Sequence, residues 1–275
     1  MTQTPCGLVT LLTDFGLGDP FVGVMKGVLD SVDPALRVID LSHGIRQGAI
    51  GEGAFWLERS YRYFSAGTVH CAVIDPGVGS ARGAVVVAAD GHFFVGPDNG
   101  LLAEVVLRAP HVEVRQIDQL AHGLFAPSHT FHGRDVFSVI AGRLAAGQLS
   151  FAEVGPAVQL QVPTPIAPVV REGDAFVGCV LTADHFGNLI TSLRAADVLR
   201  ASDAAFRLQI ADRQLRSVRT FADAEPAELV ALVGSFGAVE VIVRDGSALE
   251  QLTEVVVGPG PRRFETVGAV RLFPS

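Results

Sequence analysis

Cysteine is scarce and poorly placed for chemistry. The chain has three, Cys6, Cys71 and Cys179, far apart and outside any C-x-x-C pair. Neither a disulfide framework nor a thiolate metal site is indicated, and a reducing cytoplasm is the expected setting. Charge is thin too: 18% of the 275 residues are charged, for a formal net charge of -8. No Lys/Arg cluster offers the basic face that phosphate neutralisation needs, which excludes a dedicated nucleic-acid binder. No apolar run reaches the ~18 residues of a membrane span. Residues 1–20 lack a basic start followed by an apolar core, because Asp14 and Asp19 interrupt it, so no secretory leader is expected. Familiar fingerprints fail as well. "GLGDPF" puts Phe21 where a dinucleotide loop needs its third glycine. "DFG" at 14–16 precedes "HGRD" with no Gly-rich loop or V-A-I-K, so it is no kinase signature, and H-E-x-x-H is missing.

What remains is a globular chain, 49% apolar, long enough for one large domain or two modest ones. Three bounded apolar runs end in aspartate: "LVTLLTD" at Asp14, "LRVID" at Asp40 and "VHCAVID" at Asp75. Runs of this kind suggest buried strands of a largely parallel sheet. Between the first two, Phe21, Val24, Met25, Val28, Leu29 and Val32 share one helical face, with Asp19 as N-cap and Pro20 at the first helical position. Further helices are expected near 49–63, 100–108 and 134–146. "VPTPIAP" (162–168) breaks both periodicities. It divides an N-terminal α/β domain (1–162) from a smaller C-terminal all-β barrel (170–275), with 163–169 as linker. The second half alternates short apolar runs with turns: "AFVGCVLTAD", "FRLQI", "ELVALVG", "VEVIV" and "AVRLF".

Strand-end carboxylates are the first site candidates. In open α/β sheets ligands gather beyond the carboxyl ends of the strands, where Asp14 and Asp75 would converge. Taken singly, an Asx-turn at Asp14 and helix capping at Asp19 use the same residues. Asp75 precedes Pro76, which holds it extended, while Gly77 and Gly79 allow a sharp turn that returns Arg82 to the same spot. A carboxylate and a guanidinium there can hold and polarise a water, with His132 to orient it; an ordinary surface ion pair would use the same letters. His129, His132 and Asp135 have helical spacing that fits a metal, or a helix start with Asp135 in its first turn. The second reading needs no H-E-x-x-H and is preferred. In "LTADHFGNLITS" (181–192), Asp184, Phe186 and Asn188 suit an adenine edge and a flat ring, or a hairpin turn with Gly187 and Asn188 at positive φ.

Six segments taken together resemble the S-adenosyl-L-methionine hydroxide adenosyltransferases, relatives of the fluorinating and chlorinating adenosyl enzymes: "LTDFGLGDPFVGVMKGVL", "GTVHCAVIDPGVGSARG", "FFVGPDNGLL", "TFHGRDVF", "DHFGNLITS" and "GSFGAVEV". They occur in order across nearly the full chain. The resemblance implies an N-terminal α/β domain, a C-terminal β-barrel, and a homotrimer with sites between the N-domain of one subunit and the C-domain of its neighbour. It implies attack of water or hydroxide on ribose C5′ of S-adenosylmethionine, giving adenosine and L-methionine, with no cofactor and no metal. By motif, Asp75, Arg82 and His132 resemble the water-activating triad and Asp14 the ribose-diol carboxylate, with Asp19 nearby. Asp184 resembles the partner of the methionine amine, Ser235 a contact to its carboxylate and Asn188 an adenine reader. Phe186 and Phe236 would line the adenosine pocket, with Phe131 close to the reacting carbon and Gly133 among the substrate-binding residues. Asp75, Val78 and Gly133 stand where the halogenating relatives carry tyrosine, threonine and serine, and their extra loop is missing after Arg82. A carboxylate aimed at the nucleophile repels halide and favours water. Two alternatives are a halide-dependent adenosyl transferase and a sensor that binds S-adenosylmethionine or adenosine with little turnover.

Overall fold

The computed structural model describes residues 4–124, 128–200, 205–252 and 269–274. The chain divides into two compact units, residues 1–165 and 166–275. Each has its own buried core.

The first unit is built on seven strands: β1 Leu8–Thr13, β2 Arg37–Ser42, β3 Val69–Val73, β4 Ala84–Ala89, β5 His92–Pro97, β6 Val112–Gln116 and β7 Ala157–Val158. Their order in the sheet is β2-β1-β3-β5-β4-β6-β7. β1 pairs in parallel with β2 and β3, and β3 with β5. β4 is antiparallel to both β5 and β6, and β7 is antiparallel to β6. Hence β2, β1, β3, β5 and β6 all point one way, and only β4 and β7 oppose them.

Strand alternation assigns each side chain to one of two faces. Val9 and Leu11 of β1, with Val69, Cys71 and Val73 of β3, meet Met25 and Leu29 of α1 (Phe21–Val32) and Ile140 and Leu144 of α4 (Ser138–Ala145). On the opposite face Leu12, Ala72 and Ile74 meet Ala54 and Leu57 of α2 (Ile50–Ser60) and Val105 of α3 (Ala103–Arg108). Both faces are covered, which is why these strands read as nearly continuous apolar runs.

Three local expectations need correction. Pro20 is the N-cap position of α1 and no side chain caps it; Asp19 lies exposed in the preceding loop. The buried stripe of α1 is Val22, Met25 and Leu29, while Phe21 and Val24 are 45% and 39% exposed. A period of 3.6 lets two stripes share one helix, and the chain uses only one for its own core. Finally, β2 continues past Asp40 to Ser42. Asp40 therefore sits inside an edge strand, where Lys26 Nζ is 2.6 Å and His43 Nε2 3.1 Å from its oxygens.

The second unit has two antiparallel sheets. One has the order β10-β11-β15-β14, from β10 (Val180–Ala183), β11 (Leu189–Arg194), β14 (Leu229–Val233) and β15 (Ala238–Val243). The other has the order β13-β12-β16-β9-β8, from β8 (Val170–Glu172), β9 (Ala175–Gly178), β12 (Phe206–Ile210), β13 (Arg213–Arg216) and β16 (Val270–Pro274). Leu189, Leu193, Leu208, Val239, Val241 and Leu272 from both sheets fill one core. The sheets are stitched at their margins by the Ser217–Ala231 bridge and the Ser192 N–H to Cys179 carbonyl bond of 2.8 Å, which gives the smaller all-β unit its barrel-like closure. Among the described residues no helix is long and apolar enough to cross a membrane.

Ile140 is fully buried between α4 and the sheet. Ile140→Ala is expected to cost about 2–5 kcal/mol through lost burial and a residual cavity. Urea unfolding followed in the first unit measures it.

Candidate functional site

β3 stops at Val73, and the chain leaves it through Asp75 and Pro76. Two tight turns follow, with the Val78 N–H on the Asp75 carbonyl and the Ser80 N–H on the Gly77 carbonyl, both at 3.1 Å. Gly79 has φ +79°, and a Cβ there would lie 2.4 Å from the His129 carbonyl oxygen. Only glycine fits that turn. The return delivers Arg82 against the residue it started from. Its Nε donates to both oxygens of Asp75 at 3.0 Å, and its Nη2 donates to Oδ2 as well. The same Nη2 lies 2.9 Å from His132 Nδ1. Because a guanidinium only donates, Nδ1 is the bare nitrogen and the ring proton of neutral His132 sits on Nε2. The Asp75 and Arg82 side chains are only 5% and 10% exposed, and the guanidinium carbon lies 5.2 Å from the Phe137 ring centroid. Burial, and after it the Arg82 cation, hold the His132 imidazole below its ordinary value of 6.5.

Asp14 is brought to the same end of the sheet. Thr13 and Val73 are neighbours in the β1–β3 register, so the two strand tips open side by side. Asp14 forms no Asx-turn; its Oδ2 accepts the Gly48 N–H at 2.8 Å. Burial raises its carboxyl above the ordinary range, with the Asp75 charge adding to the rise and the Gly48 bond opposing it. Phe15, Phe21 and Phe131 form a three-ring cluster with centroids 5.2–6.0 Å apart. A Cβ on Gly133 would meet Phe131 at 3.1 Å, Met25 Sδ at 3.3 Å and Phe15 at 3.4 Å. Residues Gly133–Phe137 make a π-helical turn immediately after His132, a rare geometry that recurs at functional sites. Asp135 lies in its first turn, accepts the Ser128 N–H and pairs with Arg134. That is the helix-start reading, and among the described residues no group of three or more His, Cys, Asp and Glu could hold a metal.

Reasoning from residue types overlooked the braces of this loop. Asn99 Nδ2 donates to the Ile74 carbonyl at 2.8 Å, fixing the residue that precedes Asp75. Buried Asp98 accepts the Gln161 and Val162 N–H groups at 2.9 and 3.3 Å. Its own N–H bonds the carbonyl of Gly83, beside Arg82. The signal was the polar pair inside "GPDNG", directly after an apolar strand. Thr13 and His43 were missed too: Thr13 Oγ1 contacts His43 Nδ1 at 2.8 Å beneath Asp14.

In the second unit the candidates sit on two turns. Asp184 and Asn188 bracket the β10–β11 hairpin, in which only Gly187, at φ +82°, takes the left-handed conformation; Asn188 does not. Asp184 Oδ1 accepts the Phe186 and Asn188 N–H groups at 2.9 Å, and Oδ2 accepts Asn188 Nδ2 at 2.8 Å. The Asn188 amide is buried, with its carbonyl and one N–H still uncommitted to Asp184. Phe186 is 73% exposed against His185. Ser235 is exposed and Phe236 half-buried in the tight turn joining β14 to β15, closed by a Gly237 N–H to Gly234 carbonyl bond. Glu240 on β15 was not anticipated. It is buried beside these turns, and burial, then the Asp184 charge, push its carboxyl up to about 7.

The His132 environment makes a pH-dependent claim. A buried imidazole held neutral is disfavoured once the unfolded chain protonates, so folding stability falls as pH drops from 6.5 toward the lowered folded value. The His132 ring is expected to titrate below 6.5 by NMR, and Arg82→Gln to move that midpoint upward.

The SAM hydroxide adenosyltransferase N-terminal domain matches residues 9–155 and the corresponding C-terminal domain residues 178–257. An (R)-S-adenosyl-L-methionine hydrolase of Salinispora arenicola is 41% identical over 276 residues, covering 98% of this chain and 100% of that protein. A fluorinase of an Actinoplanes species is 26% identical, covering 70% of this chain and 74% of that protein. The crystal structure of an uncharacterized conserved protein from Thermotoga maritima superposes with a TM-score of 0.84 at 29% identity, covering 96% of this chain and 99% of that one. Matched in both units and aligned end to end with a hydrolase relative, the chain belongs to the SAM hydroxide adenosyltransferase family.

Proposed function

We propose that this chain hydrolyses S-adenosyl-L-methionine to adenosine and L-methionine by attack of water on ribose C5′. The observation that carries this reading is the buried cluster in which Arg82 spans Asp75 and His132. In the cluster's geometry His132 Nδ1 is occupied by Arg82, and the guanidinium cannot accept, so Asp75 is the group with free acceptor capacity for a water proton. As the water oxygen bonds to C5′, the C5′–S bond breaks, its electron pair leaves with sulfur, and the water proton passes to Asp75. The negative charge of the Asp75 carboxylate and the positive charge of the sulfonium diminish together, so a site closed to bulk water favours the step. Holding the water in line with the C5′–S bond supplies an orientation effect that reaches ~7–11 kcal/mol in ideal intramolecular cases.

Asp14 offers one carboxylate to both ribose hydroxyls, Phe131 lies beside the reacting carbon, and Asn188 presents its uncommitted amide groups to adenine. Asp184 takes the methionine amine, Ser235 its carboxylate, and Phe186 and Phe236 flank the nucleoside. S-adenosylmethionine is substrate here, and the step as written needs no cofactor. Halide transfer is the weaker reading: a buried carboxylate at the nucleophile position repels an anion, and the fluorinase relatives lie at lower identity than the hydrolases. Exposed apolar residues Leu17, Phe21, Val24 and Ile39, on the loop before α1, on α1 and on the edge strand β2, support assembly into a homotrimer. Three free cysteines support a reducing compartment, the cytoplasm.

Hydrolysis in isotopically labelled water is expected to place the label in the adenosine 5′-hydroxyl. Both sulfonium epimers belong in the assay, since the relatives' names carry the R descriptor. Formation of 5′-chloro-5′-deoxyadenosine in chloride would favour halide transfer instead. Asp75→Asn is expected to lower kcat on the order of 10²–10⁴-fold with little change in KM, because the group acts on water and not on adenosine. Sedimentation should give a mass three times that of the chain.

A further inference from the structure

The loop after β2 carries a buried histidine that the proposed reaction leaves unused. His43 is 5% exposed, and its ring stands between polar groups of two strands. Nδ1 lies 2.8 Å from Thr13 Oγ1 at the end of β1. Nε2 lies 3.1 Å from Asp40 Oδ1 on β2, out of line for a full hydrogen bond. The other Asp40 oxygen takes Lys26 Nζ at 2.6 Å. A carboxylate only accepts, so Nε2 carries the proton that faces Asp40, and in the neutral ring Nδ1 is left to accept the Thr13 hydroxyl. Thr13 Oγ1 then keeps its lone pairs for the Phe15 N–H, 3.3 Å away.

His43 grips the same stretch a second time, because its backbone carbonyl accepts the Gly16 N–H at 2.8 Å. Thr13, Phe15 and Gly16 are thus tied to one histidine, directly or through the Thr13 hydroxyl, and Asp14 sits among them. The Asp14 carboxylate is held in turn by the Gly48 N–H, further along the loop that begins at His43. Stability alone does not call for this arrangement. Replacing both partners of a buried hydrogen bond by apolar groups of the same shape is close to neutral. What the polar pair adds is direction: a hydroxyl bonded on both sides cannot rotate, and Thr13 is fully buried.

We infer that His43 is a positioning residue: through Thr13 and Gly16 it fixes the turn that carries Asp14, and so aims that carboxylate at the ribose hydroxyls. The inference rests on the ribose reading of Asp14 proposed above. A carboxylate that meets two hydroxyls at once tolerates little rotation, since turning its plane loses one of the two bonds. The aspartate side chain is short, so its plane follows the backbone that carries it. His43 acts through this turn and not on the reacting atoms.

The test uses the full-length protein and compares binding of adenosine with that of 2′,3′-dideoxyadenosine, which lacks the hydroxyls Asp14 would hold. His43→Leu is expected to weaken adenosine and to raise KM for S-adenosylmethionine by the same factor, about tenfold. kcat changes by less than that factor, and the affinities for L-methionine and the dideoxy analogue stay within about threefold. His43→Asn, whose Oδ1 reaches the place of Nδ1 and can accept the Thr13 hydroxyl, is expected to restore adenosine affinity to within about threefold of the parent. Thr13→Val, close in shape, should reproduce the His43→Leu pattern and serves as the test if that variant does not fold. In a double-mutant cycle the effect of His43→Leu on adenosine is expected to vanish in the Asp14→Asn background. Equal weakening of adenosine and its dideoxy analogue, or additivity with Asp14→Asn, would overturn the inference and leave the ribose reading standing. An Asp14→Asn variant that binds adenosine as the parent does would overturn the ribose reading, and the inference with it.

Discussion

A single guanidinium organises the first unit's chemistry. Arg82 has donors on three nitrogens and no acceptor, so whatever it touches must present a lone pair. Against Asp75 this makes a fork that fixes the carboxylate's orientation; against His132 it decides which ring nitrogen carries the proton. The proposed division of labour, an acid that accepts and an imidazole that orients, follows from that one property. A lysine in its place would carry the charge but could not bridge two partners in a fixed plane.

The fold exists to make that bridge rigid. The parallel register of β1 and β3 sets Asp14 and Asp75 at neighbouring tips, and Asn99 clamps the last carbonyl before the turn. Phe137 underlies the guanidinium from the π-helical segment that follows His132. Each brace comes from a different stretch of sequence. Charged groups kept dry in this way cost stability and gain reactivity, a trade common at catalytic sites. The raised carboxyl of Asp14 and the lowered imidazole of His132 are both signs of it.

Much of this was legible in residue order. Val/Ile/Leu runs ending in aspartate marked β1 and β3 because both of their faces are covered, and proline-glycine spacing announced the turn that returns Arg82. Where reading failed, the cause was a partner distant in sequence. Asp19 looked like a cap, but the helix begins after Pro20 without one. The stripe from Phe21 to Val32 looked like core, yet Phe21 and Val24 face outward, and a helical period does not say which stripe a protein keeps for itself. Asp40 resembled the other strand-end carboxylates until Lys26 and His43 claimed it. Asn99 and Glu240 carried no local pattern at all. Their meaning depends on a carbonyl 25 positions away in one case and on a cross-strand neighbour in the other.

Gly234 and Glu240 contest the same few cubic ångströms, since a methyl on the first would overlap the carboxyl of the second. Their histories are consequently bound together. A side chain at 234 requires the Glu240 carboxyl, the far end of a flexible side chain, to swing aside. Tolerance at position 234 is therefore a readout of how freely an acid six residues downstream can move, and not of a backbone requirement, since Gly234 is not among the glycines at positive φ.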